Sequence, residues 1–190
     1  MKKLLVLSLF YLAMGCLTGC SKKPPETQAN EQVSTTLEKS LTEAEKLKAL
    51  KEEALLLRGA NSIKEVAHYN GKATIAYVKD FAEYKRLNPE STLTKEYMGG
   101  FWEGGDEYKK ALVDGPVRLM RKLYFLEEVA MHLPYNGKTY SVRVNKPQLE
   151  AFTNISFAEM TKDWDANFLD KYVNSEDGRE KFFQHFGKVE

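Results

Sequence analysis

The chain has 190 residues, with 28 Lys and Arg residues against 27 Asp and Glu residues and a formal net charge of +1 at pH 7. This balance argues against a surface built to bind a polyanion, and therefore against nucleic acid as a partner. The cysteines are Cys16 and Cys20. Because no cysteine follows Cys20, the sequence excludes an intrachain disulfide, a thiolate zinc site and a cysteine nucleophile downstream of it.

The first twenty residues have the pattern of a cleaved secretory signal. Two lysines precede an apolar run at residues 4–14, which is too short to cross about 30 Å of hydrocarbon as a helix. The sequence Leu-Thr-Gly-Cys follows at residues 17–20 and resembles the lipobox of bacterial lipoproteins. The resemblance implies that residues 1–19 are a signal peptide and that the thiol of Cys20 becomes lipidated.

The predicted anchor is therefore the lipid on Cys20. Cys16 also follows a glycine, but Ala13 stands where lipoboxes prefer leucine. Two or more acyl chains hold a protein stably on a membrane, since each buried methylene contributes about 0.8 kcal/mol. In lipoproteins an aspartate after the lipidated cysteine favours retention in the inner membrane. Ser21 stands there instead, so the resemblance favours the outer membrane, with the protein facing the periplasm.

Residues 20–34 are expected to form a flexible tether. They include Pro24-Pro25, contain no aromatic residue, and bury too little apolar area to fold. The tether would hold the following domain away from the lipid surface.

Residues 35–59 are predicted to contain a long amphipathic helix, spanning residues 36–58. Thr35 and Glu38 fit a capping box, apolar residues recur every three or four positions, and Gly59 fits a helix end. Two arrangements are open. The helix either packs on its own domain or projects as a segment that binds a partner.

Residues 60–190 are predicted to form a globular α+β domain. Asn70-Gly71 and Asn136-Gly137 occur in similar surroundings, which indicates either an internal repeat or coincidence. Asn-Gly favours a type I′ hairpin turn, and the alternating residues after Gly137 predict a strand. After Gly71, however, the spacing of Ala73 and Tyr77 also suits a helix.

The segment at residues 99–106 is the candidate binding site. It places Phe101, Trp102, Glu103 and Asp106 among four glycines. We expect a loop, whose aromatic rings could contact a sugar or peptide and whose carboxylates could perform acid–base chemistry. The same glycines would also let large rings pack in a core.

Further helices are expected downstream. Asp106 could cap a short helix, which Asp114-Gly115-Pro116 would end, and another helix would run to about Met131. An aromatic ridge at residues 157–172 predicts one continuous helix, and Ser175 begins the last one, which Gly187 closes. The sequence thus predicts a single small α+β domain, predominantly helical, with one or two β-hairpins.

No metal site or cofactor is expected. His68, His132 and His185 lack ligand-like spacing. The sequence Asp-Trp-Asp-Ala-Asn at residues 163–167 matches the start of a calcium-binding loop, but Phe168 occupies the position that requires glycine.

These observations predict a non-enzymatic, lipid-anchored periplasmic lipoprotein that binds another envelope protein, in an assembly, stabilising, immunity or exclusion role. No catalytic residue is assigned. The alternative is a periplasmic hydrolase or binding module that acts on glycan or peptide through the 99–106 loop.

Overall fold

The computed structural model describes residues 41–104 and 106–190. In these residues the α-helices are α1 (Glu43–Ala54), α2 (Phe81–Leu87), α3 (Lys95–Glu103), α4 (Glu107–Lys122), α5 (Lys146–Thr153), α6 (Phe157–Lys162) and α7 (Glu176–Phe186). The strands are β1 (Ile63–Tyr69), β2 (Lys72–Tyr77), β3 (Glu128–Tyr135), β4 (Lys138–Asn145) and β5 (Gly187–Val189). A 3₁₀ turn spans Ala60–Ser62, and a π-helix spans Asp165–Val173. The α+β class is confirmed.

The strands form one mixed sheet in the order β1-β2-β3-β4-β5. Neighbouring strands are antiparallel except β2 and β3, which are parallel. A parallel pair needs a crossover connection, and the segment that contains α2, α3 and α4 supplies it. The sheet therefore consists of two hairpins side by side, with β5 added at the far edge.

Both hairpins turn at Asn-Gly. Asn70 and Gly71 have φ angles of 47° and 74°, and Asn136 and Gly137 have 49° and 75°. Two successive positive φ values are what a type I′ turn requires. The second hairpin is confirmed, and at the first turn the hairpin rather than the helical alternative is correct.

One face of the sheet carries the core. Val129, Met131 and Leu133 alternate along β3 and have no exposed surface. Met131 lies against Gly115 of α4, where an added Cβ would be only 2.6 Å from the sulfur atom. We call this side the helix face. The opposite side, the outer face, carries small and polar side chains such as those of Thr74 and Arg143.

Helix α1 is shorter than the predicted helix over residues 36–58, since it begins at Glu43 and ends at Ala54. Thr42 is its N-cap and forms the capping box with Glu45, so Leu41 and Thr42 are not helical. The predicted cap at Thr35 and Glu38 lies outside the described residues, as do the signal peptide and the tether. Since Leu50 and Ala54 are buried in the core, α1 packs on the domain, as one of the two alternatives proposed.

The predicted break at Asp114-Gly115-Pro116 is wrong, because α4 continues through it to Lys122. The fixed φ of proline suits a helix, and the missing N–H costs one hydrogen bond. The buried carboxylate of Asp114 accepts two hydrogen bonds from Arg118, at 2.9 and 3.1 Å. The prediction of a helix that runs to about Met131 is also wrong, since α4 ends at Lys122 and β3 begins at Glu128.

The C-terminal region follows the predicted ridge, with one interruption. Ser156 caps α6, and Met160, Trp164 and Phe168 are buried as expected. The single predicted helix is instead divided into α6 and the π-helix, so the expectation of one helix is wrong. Helix α7 starts after Ser175 and ends at Gly187, as predicted, and β5 was not predicted.

Candidate functional site

The predicted site residues fall in two parts of the chain. Cys20 lies outside the described residues, so its lipidation stays a prediction. The 99–106 segment is described apart from residue 105, and its first part is not the expected loop. Helix α3 runs through Gly99 and Gly100 to Glu103, with Thr94 as its N-cap.

Trp102 has a structural contact that its sequence context did not reveal. Its ring lies against Gly59, where an added Cβ would be 2.2 Å from the nearest ring atom, and Gly59 has a φ of 66°. The ring also meets Tyr77 edge-on at a centroid distance of 5.5 Å. Trp102 thus joins α3 to the turn that follows α1, with 7% of its surface exposed.

The two predicted carboxylates are not brought together by any shared partner in the described residues. Asp106 occupies the N-cap position of α4, as predicted, but it has a left-handed backbone (φ 60°) and its side chain makes no capping hydrogen bond. Its carboxylate instead lies 3.4 Å from the guanidinium of Arg179. Glu103 is exposed, and the described residues give it no ion pair.

Phe101 and Trp102 line a small groove, which we call the tryptophan groove. Its other walls include the apolar residues Leu55, Leu57, Leu93 and Tyr97 and the polar residues Asn61 and Ser62. The volume is about 260 Å³, below the range of about 300–1,000 Å³ typical of small-molecule pockets. A space of this size suits inserted side chains better than a whole ligand.

Two of the apolar side chains that line this groove are largely exposed, Leu55 at 72% and Tyr97 at 67%. Leu56, the next residue after Leu55, is 71% exposed. Sequence reasoning missed the two leucines as surface residues. A signal was available, because Leu55, Leu56 and Leu57 are consecutive, and three successive residues of a helix or turn cannot all face one core.

A second groove, the edge groove, lies between α1 and β1 and has a volume of about 800 Å³. Ala44, Leu47 and Leu55 line it from one side, and the four consecutive residues 63–66 line it from the other. Successive strand residues point to opposite faces. A groove lined by four in a row therefore opens along the edge of the strand.

A buried histidine lies beneath the start of α1. The side chain of His68 has no exposed surface, and its Nδ1 is 2.9 Å from Oε2 of Glu43. Neither ring nitrogen makes a hydrogen bond of ordinary geometry in the described residues. A hydrogen bond from Lys46 holds the pKa of the Glu43 carboxyl below its usual value, with His68 as a smaller contributor. The contact joins α1 to β1.

The described residues contain no group of three or more His, Cys, Asp or Glu side chains placed to hold a metal ion. They also contain no helix with the length and apolar character needed to cross a bilayer.

No family model, curated protein or solved structure matches the chain.

Proposed function

We propose that the protein is a non-enzymatic lipoprotein of the bacterial envelope, held by lipid on Cys20 in the outer membrane, and that its domain binds another envelope protein in the periplasm. The observation that carries the binding role is the group of exposed apolar side chains that line the tryptophan groove, namely Leu55, Tyr97 and Phe101.

The exposed side chains have the composition of a protein-binding surface. Aromatic residues are enriched at interfaces. Single apolar residues on a surface are ordinary, whereas several exposed ones beside a groove indicate a binding surface. Leu55 and Tyr97 stand at the rim, and Phe101, 36% exposed, lies between the rim and the floor formed by Trp102. Such a floor, already buried on two sides, suits an apolar anchor side chain from a partner.

The anchor is supported by the motif at residues 17–20. The test is fractionation of cells that express the full chain or its Cys20→Ser variant, with Cys16→Ser as the matched control. We expect the Cys16→Ser chain to stay in the outer-membrane fraction with a lipid-modified N-terminus by mass spectrometry. The Cys20→Ser chain should lose the modification. If it stays in the outer-membrane fraction and carries lipid on another residue, the proposed anchor is contradicted.

The binding role is tested by site-specific photocrosslinking in intact cells. A photoreactive phenylalanine analogue replaces Tyr97. The control position is Tyr124, which has a similar exposure (72% against 67%) and lines neither groove. We expect a discrete adduct with one identifiable envelope protein from position 97 and none from position 124. The Leu55→Asp substitution should abolish the adduct while the protein level holds. Equal adducts at both positions, or none at either, would contradict the proposal.

A further inference from the structure

The edge of β1 that faces away from β2 has no partner strand in the described part of the chain. In a hairpin with a two-residue turn, the residues flanking the turn form a hydrogen-bonded pair, and the pattern alternates from there. Tyr69 pairs with Lys72, Ala67 with Thr74, and Glu65 with Ala76. The backbone N–H and C=O groups of Val66 and His68 therefore point outward, away from β2.

The two ends of this edge differ. Between Ile63 and Glu65 the register shifts at a β-bulge that contains Lys64. Bulges and lysines are devices that keep an edge strand from pairing. The rest of β1, residues 65–69, is regular and carries neither device, and the edge groove reaches its first two residues, Glu65 and Val66. Within the described residues, only this half of the edge is free to pair.

The charges along α1 suit a two-fold arrangement. Its first turn carries Glu43 and Glu45, while Lys48 and Lys51 lie farther along and line the edge groove together with Glu52, which is 3.9 Å from Lys48. Because Glu43 lies over His68 near the end of β1, and α1 then leads back to the start of β1, helix and strand run in opposite directions. A two-fold axis through β1 sets the two α1 helices antiparallel, so the acidic turn of one faces the lysines of the other.

We propose that two copies of the protein pair antiparallel through β1, with the two-fold axis at Ala67. Val66 of each copy then exchanges both backbone hydrogen bonds with His68 of the other, which uses all four outward groups of each strand. Ala67 meets its own counterpart on the outer face as a non-hydrogen-bonded pair, with Cα atoms about 4.5 Å apart. Such an interface is isologous, as closed dimers require.

This register also explains an exposed residue. It places Glu65 of one copy opposite Tyr69 of the other on the outer face, and Tyr69 is 81% exposed in the single chain. At the axis the two Ala67 side chains are directly opposite each other, and alanine brings neither a like charge nor a bulky group to that contact. The pairing goes beyond the proposed binding role and does not require the lipid anchor.

The first test is a disulfide across the axis, in the full chain expressed in intact cells and analysed on non-reducing gels after mild oxidation. Ala67→Cys should give a covalent dimer, because two Cα atoms about 4.5 Å apart lie within the range a disulfide can bridge. Thr74→Cys is the matched control. Thr74 lies on the outer face of β2, beside Ala67. In the dimer the two Thr74 residues are three strand spacings apart, whereas the two Ala67 residues are one spacing apart, so a disulfide cannot join the former.

A dimer from Ala67→Cys that is absent from Thr74→Cys and from the wild-type chain supports the pairing. No dimer from Ala67→Cys, or equal amounts from both variants, overturns it. Failure of the Cys20 or Tyr97 experiments leaves this outcome unaffected, so the two proposals fail separately.

The second test needs no cysteine. Ala67→Lys places two like charges at the axis, which should convert the detergent-extracted full chain from dimer to monomer in light scattering. Thr74→Lys, which adds the same charge to the same face, should leave the dimer intact. Both side chains lie away from the helix face, so the fold of each variant can be checked by circular dichroism. A folded Ala67→Lys variant that remains dimeric overturns the proposal.

Discussion

The two hairpins of the sheet have the same turn and different surroundings. Their Asn-Gly turns agree within 2° in both φ angles (47° and 74° against 49° and 75°). In the described residues, the hairpin of β3 and β4 has a strand on each side, whereas the hairpin of β1 and β2 has a neighbouring strand on one side only. Local sequence determines the turn. The position in the sheet determines how much each strand buries and which surface it offers.

The largest expected difference is in core packing. Met131 of β3 is fully buried, while Val66 of β1, which lies on the same helix face, is only partly buried. We expect Met131→Ala to lower the free energy of unfolding by roughly 2–5 kcal/mol, because it leaves a cavity under α4. Val66→Ala should cost clearly less. Urea unfolding of both purified variants, with unchanged m-values, checks this, and equal losses would contradict the contrast between the hairpins.

The turns should behave alike. Asn70 and Asn136 both have left-handed backbones, which alanine adopts at a cost of about 1–2 kcal/mol. We expect Asn70→Ala and Asn136→Ala to lower the free energy of unfolding by similar amounts, measured in the same urea experiment. Asn61→Ala is the control, since Asn61 is exposed and does not have a positive φ. A much larger loss at Asn136 would mean that the surroundings, rather than the turn, set the energy.

A smaller effect is expected where α4 meets β3. An added Cβ at Gly115 would lie 2.6 Å from Sδ and 2.8 Å from Cε of Met131. Both atoms belong to the end of a flexible side chain, so Gly115→Ala should cost only about 1 kcal/mol. In the Met131→Ala background the contact is gone, and the same change should be neutral or should stabilise by about 0.5–1 kcal/mol, the usual gain of alanine over glycine in a helix. A double-mutant cycle measures this, and additive effects would contradict the close contact.

Much of the local structure could be predicted, because each cue acts within a few residues. Ser156 and Ser175 cap helices where expected, and Gly187 ends the last one. The strand after Gly71 was ambiguous for a physical reason. Ala73 and Tyr77 are four residues apart, a spacing that places two residues on one face of either a helix or a strand.

The errors occurred where distant packing overrides local preference. Gly115 was expected to help end a helix, but its missing side chain lets α4 approach Met131. The glycines before Trp102 were expected to form a loop, yet the burial of that ring against Gly59 holds them in α3. The edge groove could not be predicted, because strand order is not encoded in the local pattern of β1.

The smallest expected effect concerns an ion pair between the turn after α1 and the start of α4. Arg58, in the turn after α1, donates to Glu107 at the start of α4, with 2.7 Å between Nη1 and Oε2. Burial by itself would raise the pKa of the Glu107 carboxyl, but the hydrogen bond from Lys110 and the charge of Arg58 hold it below its ordinary value. Glu107 therefore binds a proton more readily in the unfolded chain than in the folded protein. The ion pair stabilises the fold fully above about pH 4.3, the ordinary pKa of glutamate. This stabilisation is lost as the pH falls through the lowered pKa of the folded protein.

Glu107→Gln should accordingly lower the free energy of unfolding by only about 0.5–1 kcal/mol at pH 7, since Arg58 is partly exposed and solvent screens the pair. The deficit should shrink as the pH falls below about 4.3, because the wild-type carboxyl then also loses its charge. Glu103→Gln removes the same charge from an exposed position without an ion pair in the described residues, and it should have no such pH-dependent deficit. A deficit of Glu107→Gln that persists at pH 3 would assign its effect to packing, and the start of α4 would then be joined to the end of α1 by shape rather than by charge.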